Sequence, residues 1–198
     1  MRIAIAGTSG VGKTYLETIL ANKYKFVQLP KTTDRPKRPQ EISGQGIFFK
    51  TRKEIESNFK QYFFSLEYAG HIYAWQNNDL LKSKNATVAI TMEGLENLIT
   101  KDLLFIPILL YIDQENLSFL EKRIKDQLNY KDLTPNERFE AEAKIIQRLN
   151  LAQKELININ KYIEIVESVP NGKAFNIKDD NTIFNEVLPY IEKLLLTN

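Results

Sequence analysis

The sequence contains no cysteine in 198 residues. Disulfides, thiolate nucleophiles and cysteine-based zinc sites are therefore excluded. That absence fits a cytoplasmic protein, which is the expected location. A dominant charge is missing too, with 27 basic against 25 acidic side chains and a net charge of +2. No overall electrostatic pull toward nucleic acid or an acidic membrane follows, so neither is expected as a partner. Long apolar runs are also lacking. The longest, "LLFIPILLYI" from Leu103 to Ile112, is too short to span a bilayer and reads as a buried strand. The opening "MRIAIAG" has no apolar stretch of signal-peptide length. The single histidine, His71, falls at a turn and is assigned no catalytic role. What remains, 43% hydrophobic and 26% charged, is the balance of one compact globular domain.

Short apolar runs alternate with helical patterns along the chain. Ile3 to Ala6 reads as a strand ending at Gly7, and Thr14 to Lys23 as a helix with Leu16, Ile19 and Leu20 on one face. "LPKTTDRPKRPQEIS", from Leu29 to Ser43, reads as irregular, because Pro30, Pro36 and Pro39 break any helix. Gly44 and Gly46 mark a turn before "IFFK", and Thr51 is placed to cap a short helix reaching about Phe59. "YFFSLEYAGHIYAW" predicts two strands turning at Gly70-His71, the centre of a small aromatic lobe. Core strands follow at "ATVAIT" (Ala86 to Thr91) and Leu103 to Ile112, separated by a helix from about Met92 to Ile99. A helix near Glu115 to Leu128 precedes one long amphipathic segment from about Asn136 to Val166, in which Ile145, Leu149, Ala152, Leu156 and Ile159 recur at helical spacing. "KAFNI" and a helix from Thr182 to Leu195 close the chain. The expected fold is α/β, a three-layer sandwich with a mainly parallel central sheet.

The chemistry begins where the first strand meets the first helix. Gly7-Thr8-Ser9-Gly10-Val11-Gly12-Lys13-Thr14 follows the pattern G-x-x-x-x-G-K-[ST]. Glycines let backbone N–H groups turn inward around phosphates, and the helix N-terminus adds its positive end. Lys13 is placed for the terminal phosphates, and the Thr14 hydroxyl for Mg²⁺. The strand, loop and helix appear in the required order, so a nucleoside triphosphate, ATP with Mg²⁺, is the expected ligand. Downstream, Arg35 and Arg38 stand three residues apart in a proline-stiffened loop, where both guanidinium groups can grip one phosphate. Two anion sites are what a kinase with a phosphorylated acceptor needs.

At this point the chain resembles the guanylate kinases. "KTTDRPKRPQE" is similar to that family's S-x-T-T-R-x-P-R-x-G-E, and "GQGIFFKTRKEIE" to its glycine turn, aromatic strand and short helix. "LEYAGHIYAW" resembles a shortened F-x-E-W-A…G-x-Y-Y-G hairpin. "LEKRIKDQ…QRLNLAQKEL" looks like the lid and its R-L-x-x-A-x-x-E helix, and "AFNIKDD" like the late V-x-N-D-D segment. The resemblance implies a P-loop fold with a core over about 1–30, 82–124 and 139–198, an acceptor lobe over about 31–81 and a lid over about 125–138. It implies in-line transfer of the ATP γ-phosphoryl group to GMP or dGMP. Lys13 and Thr14 would hold ATP and Mg²⁺, and Asn176 would contact the adenine. Arg35, Arg38 and Tyr73 would bind the acceptor phosphate, while Arg123 and Arg148 would flank the transferring group. Glu67 and Thr91 would face the acceptor base.

Departures gather around that base. Lys31 stands at the family's serine, Ile47 at its phosphate-binding tyrosine, Ala89 and Thr91 at its third-strand acids, and Trp75 at its small hydroxyl residue. A hydroxyl is a weaker partner than a carboxylate for a ring N–H, so a different or modified nucleoside monophosphate is the alternative acceptor. Trp75 either stacks on the base or plugs lobe against core. Glu93 is either a substitute acid for the metal or simply a favourable charge in the first turn of a helix, Gln127 replaces a lid arginine, and Arg138 is the candidate to stand in for it. A non-catalytic binding module is the remaining alternative, against which the intact Gly12-Lys13-Thr14 argues.

Overall fold

The computed structural model describes residues 1–37, 41–68, 70–101 and 104–197. Strand β1 (Arg2–Gly7) lies at the centre of a five-stranded sheet, between β7 (Ala86–Ile90) and β8 (Ile106–Tyr111). The short β2 (Val27–Gln28) and β9 (Lys173–Asn176) form the edges, and every pairing is parallel. Continuous apolar runs suit these central strands because both faces of the sheet are covered. Ile3, Ile5, Ile108 and Leu110 pack on one face with Leu16, Leu20, Leu120 and Ile145. Ala4, Ala6, Val88 and Leu109 pack on the other with Leu95, Leu98 and Val166.

The first face is covered by α1 (Lys13–Tyr24), α5 (Leu117–Gln127), α6 (Pro135–Ile157) and α8 (Leu188–Thr197), the second by α4 (Met92–Thr100) and α7 (Ile159–Glu167). The long helix expected from about 136 to 166 is therefore two. Its first part belongs to one face and its second to the other, so the chain must turn, and it does so at Asn158 (φ −106°, ψ 14°). The final helix opens with a π-helical stretch, Ile183–Val187.

A second sheet, of order β4-β3-β6-β5, is built from β3 (Lys31–Thr33), β4 (Ile47–Phe49), β5 (Tyr62–Tyr68) and β6 (His71–Gln76). The β5–β6 hairpin turns where expected, with Gly70 at φ 78°. Thr51 caps α2 (Arg52–Glu56) in a reciprocal pair with Glu54. Strand β3 lies inside the stretch read as irregular. Prolines flank it at Pro30 and Pro36 but leave its three residues able to pair with β4 and β6. Ile55, Tyr62, Ile72 and Ala74 form a small core of their own. Trp75 is 2% exposed, its ring centroid 5.5 Å from that of Phe64, and it packs with the main-sheet cluster. It is the hydrophobic plug between lobe and core.

Candidate active site

The phosphate loop is set by three glycines at positive φ: Gly7 (147°), Gly10 (95°) and Gly12 (111°). A Cβ at Gly7 would lie 2.0 Å from the Leu110 carbonyl oxygen, so only glycine fits where the loop leaves the sheet. Val11 is fully buried and anchors the loop in the core. Lys13 folds back over the loop, donating to the Gly7 and Thr8 carbonyls at 2.5 and 2.7 Å. Burial lowers its pKa to about 8, opposed by the Glu155 carboxylate. Glu155 in turn is pushed up to about 7 by burial, with the Lys13 charge pulling it down. Thr14 is exposed in the first turn of α1, at the helix's positive end.

Two arginines close on this loop from separate helices. Arg148 of α6 donates from Nε to the Ser9 hydroxyl at 3.1 Å, and from Nη2 to Gln127 Oε1 at 2.9 Å. Arg123 of α5 donates to the Val11 carbonyl at 3.2 Å and has Asp180 at 3.8 Å. A glycine cradle, a lysine and two guanidinium groups thus converge on one turn of backbone, a donor set suited to phosphate oxygens. Arg138 is elsewhere. It donates to the Lys131 carbonyl at 3.0 Å and lies 5.7 Å from the Tyr130 ring centroid, leaving Gln127 as Arg148's partner.

Beside the loop, a cleft between the two sheets holds two adjoining cavities of about 150 and 460 Å³. Both are lined by Lys31, Tyr73, Trp75 and Ala89. The smaller reaches Gly7, Ser9, Lys13 and Glu155, and the larger reaches Thr14, Glu17 and Arg35. Arg35 makes a bidentate pair with Glu41, and its guanidinium sits 5.4 Å from the Phe49 ring centroid. Glu41 raises the Arg35 pKa further, so this cation is permanent. Arg38 lies outside the described residues. Ile47 is buried on the wall of the larger cavity, in place of a hydroxyl.

Glu67 requires a correction. Its side chain is 57% exposed and pairs with Arg52 at 3.1 Å, whereas its neighbours Leu66 and Tyr68 line the cleft. The physical cause is strand alternation in the unbroken register from Phe64 to Tyr68, where Leu66 lies opposite Tyr73 on the cleft face and Glu67 opposite Ile72 on the other. Thr91 does line the smaller cavity, but its hydroxyl accepts from the Gly94 N–H at 3.0 Å as the cap of α4. Glu93 is exposed and lines neither cavity. Asn176 closes β9 with its amide donating to Asp113, and its Oδ1 is buried with no partner among the described residues.

Three cleft residues carry no assigned role in the sequence. Glu17 sits one turn beyond Thr14 on α1, 8% exposed, and burial lifts its pKa to about 7 against the pull of Lys31, Thr87 and Lys13. Its i+3 spacing from the loop threonine was the available signal. Glu155 is the closing acid of the R-L-x-x-A-x-x-E pattern and follows Arg148 at i+7 on α6, the spacing of one helix face. Tyr68 is pushed up to about 12 by burial and stays a neutral hydroxyl.

The donor set suits a hard cation delivered with a triphosphate. Thr14 offers one hydroxyl oxygen at the cavity wall, and no cluster of three or more His, Cys, Asp or Glu forms a cation cage among the described residues. Mg²⁺ fits such a place, since it keeps phosphate oxygens and waters as most of its ligands.

Comparison with known proteins gives a consistent picture. A sequence model of the family described as guanylate kinase matches residues 1–169. A guanylate kinase of Streptococcus thermophilus (strain CNRZ 1066) is 28% identical over 170 residues, covering 81% of this chain and 75% of the relative. One from Streptococcus agalactiae serotype III (strain NEM316) is 31% identical over 132 residues, 62% of this chain and 61% of the relative. The crystal structure of guanylate kinase from Anaplasma phagocytophilum superimposes with a TM-score of 0.61 over 98% of this chain and 84% of that one. At 17% identity, the structural likeness speaks for the fold alone.

Proposed function

The chain belongs to the guanylate kinase family, and from that membership and the cleft we propose that it transfers the γ-phosphoryl group of ATP to GMP, yielding ADP and GDP. The carrying observation is the juxtaposition of a complete phosphate loop with a second cationic pocket. Lys13 and Thr14 stand on one side of the cleft, and Arg35 and Tyr73 on the other.

In this reading the ATP phosphates displace the Gly7 and Thr8 carbonyls from Lys13, which has its ammonium already at the loop. Thr14 would hold the Mg²⁺ that accompanies ATP, and that ion would supply neutralisation of phosphate charge. Arg35 and Tyr73 hold the acceptor phosphate, with Arg38 as the further grip expected from the sequence. Arg123 and Arg148 stabilise the charge spread over the equatorial oxygens during in-line transfer. The segment 125–138 joins the two helices that carry these arginines, so its closure would seat both and exclude water. Asn176, at the end of β9 with its amide on Asp113, is the proposed contact for the adenine. A cytoplasmic location and small nucleotides as partners, with neither nucleic acid nor membrane, complete the proposal. No described helix is long and apolar enough to cross a membrane.

A second reading keeps the reaction and changes the base. It rests on the outward turn of Glu67 and on Ala89 in the cleft wall, which leave no carboxylate where the sequence placed one. ADP formation measured against all common ribo- and deoxynucleoside monophosphates separates the two. GMP or dGMP leading the panel supports the first reading, another base leading it supports the second, and no acceptor-dependent turnover removes both.

A further inference from the structure

We propose that Lys31 selects the acceptor base by donating to the O6 and N7 atoms of a 6-oxopurine. The inference rests on the monophosphate-kinase reading and deepens it.

Register supplies the geometry. Lys31 pairs with Trp75 across β3 and β6, and Thr33 pairs with Tyr73. At about 3.3 Å per residue, Lys31 stands roughly 7 Å along the strand from the Tyr73 pair. A monophosphate gripped at the Arg35–Tyr73 end therefore extends its nucleoside toward the Lys31–Trp75 end. Lys31 lines both cavities there, with Ile47 as an apolar wall of the larger. Glu17 lines the larger cavity within electrostatic reach of Lys31.

Chemistry supplies the selectivity. A lysine only donates, so it needs a base edge that only accepts. Guanine offers O6 and N7 side by side, whereas adenine puts an amino donor beside N7. The opposite, 2-amino edge has no dedicated reader among the residues the sequence nominated. Glu67 faces outward, position 89 is alanine, and the Thr91 hydroxyl caps a helix. Recognition thus moves from the 2-amino edge to the O6/N7 edge.

The test is kcat/KM for GMP, IMP, 7-deaza-GMP and AMP with the unaltered protein, then GMP and AMP with Lys31→Met and Lys31→Arg. IMP is expected within about threefold of GMP, because the 2-amino group is unread. Loss of N7 should cost about tenfold, and Lys31→Met should reduce the GMP/AMP ratio at least about tenfold, with Lys31→Arg restoring much of it. Rejection of IMP by more than about thirtyfold would overturn the proposal. So would an equal loss for GMP and AMP in Lys31→Met, which would make Lys31 a phosphate contact. Calorimetric binding of GMP and AMP to the same variants gives the same comparison without turnover. Selective binding with no transfer would sink the kinase reading and leave the base assignment standing.

Discussion

Replacing Glu17 by glutamine should stabilise the protein at pH 8 and barely affect it at pH 5. Burial raises this carboxyl from 4.5 to about 7, and Lys31, Thr87 and Lys13 oppose the rise without cancelling it. The native state therefore holds the proton more tightly than the unfolded chain. The stability that this proton confers is fully present below pH 4.5 and is lost as pH rises through about 7. Glutamine resembles the protonated acid in shape and charge, so the variant keeps at pH 8 what the parent loses. The displacement is worth on the order of 3 kcal/mol at pH 8 and under about 1 kcal/mol at pH 5. For a chain of this size each kcal/mol moves the melting temperature by about 2–4 °C, so a gain of several degrees is expected at pH 8. Thermal melts followed by circular dichroism at pH 5, 6.5 and 8 would read it. A difference that stays constant across the three, or a variant less stable than the parent at pH 8, would refute the reasoning.

Lys13→Met should cut turnover by about 10²–10³-fold while leaving the melting temperature at or above the parent's, since it removes a buried cation; steady-state rates and melts check both. Arg148→Ala should lower kcat by about 10²–10³-fold with little change in acceptor KM, because its place is at Ser9 on the donor loop. Arg35→Ala should chiefly raise acceptor KM, by about 10–100-fold for the loss of a charged hydrogen-bond partner, and an unchanged KM would remove it from the phosphate grip.

The donor half was legible because its constraints are local. Gly7 to Thr14 must turn inward, the apolar run before them must be central, and the helix after them must begin there. Each residue's role follows from its immediate neighbours. Arg123 and Arg148 were legible only through the family resemblance. They lie 25 residues apart in the chain, and the loop between their helices carries no pattern that says both end at one glycine turn. The acceptor half was harder for a physical reason. Which parity of β5 enters the cleft is decided by its pairing with β6, Leu66 opposite Tyr73 and Glu67 opposite Ile72, and that turned Glu67 out and Tyr68 in. Glu17 reads in the sequence as one polar residue on a mixed helix. Its burial comes from the sheets closing over it, a tertiary effect that no local window contains. The break at Asn158 is of the same kind, set by the need to pass from one face of the sheet to the other.

The central claim is phosphoryl transfer from ATP to GMP. Incubating the protein with Mg-ATP and GMP and resolving all four nucleotides by ³¹P NMR tests it directly. GDP and ADP appearing in equal amounts, with no inorganic phosphate, is the predicted result. ADP with inorganic phosphate and no GDP, or no consumption of ATP, would contradict it.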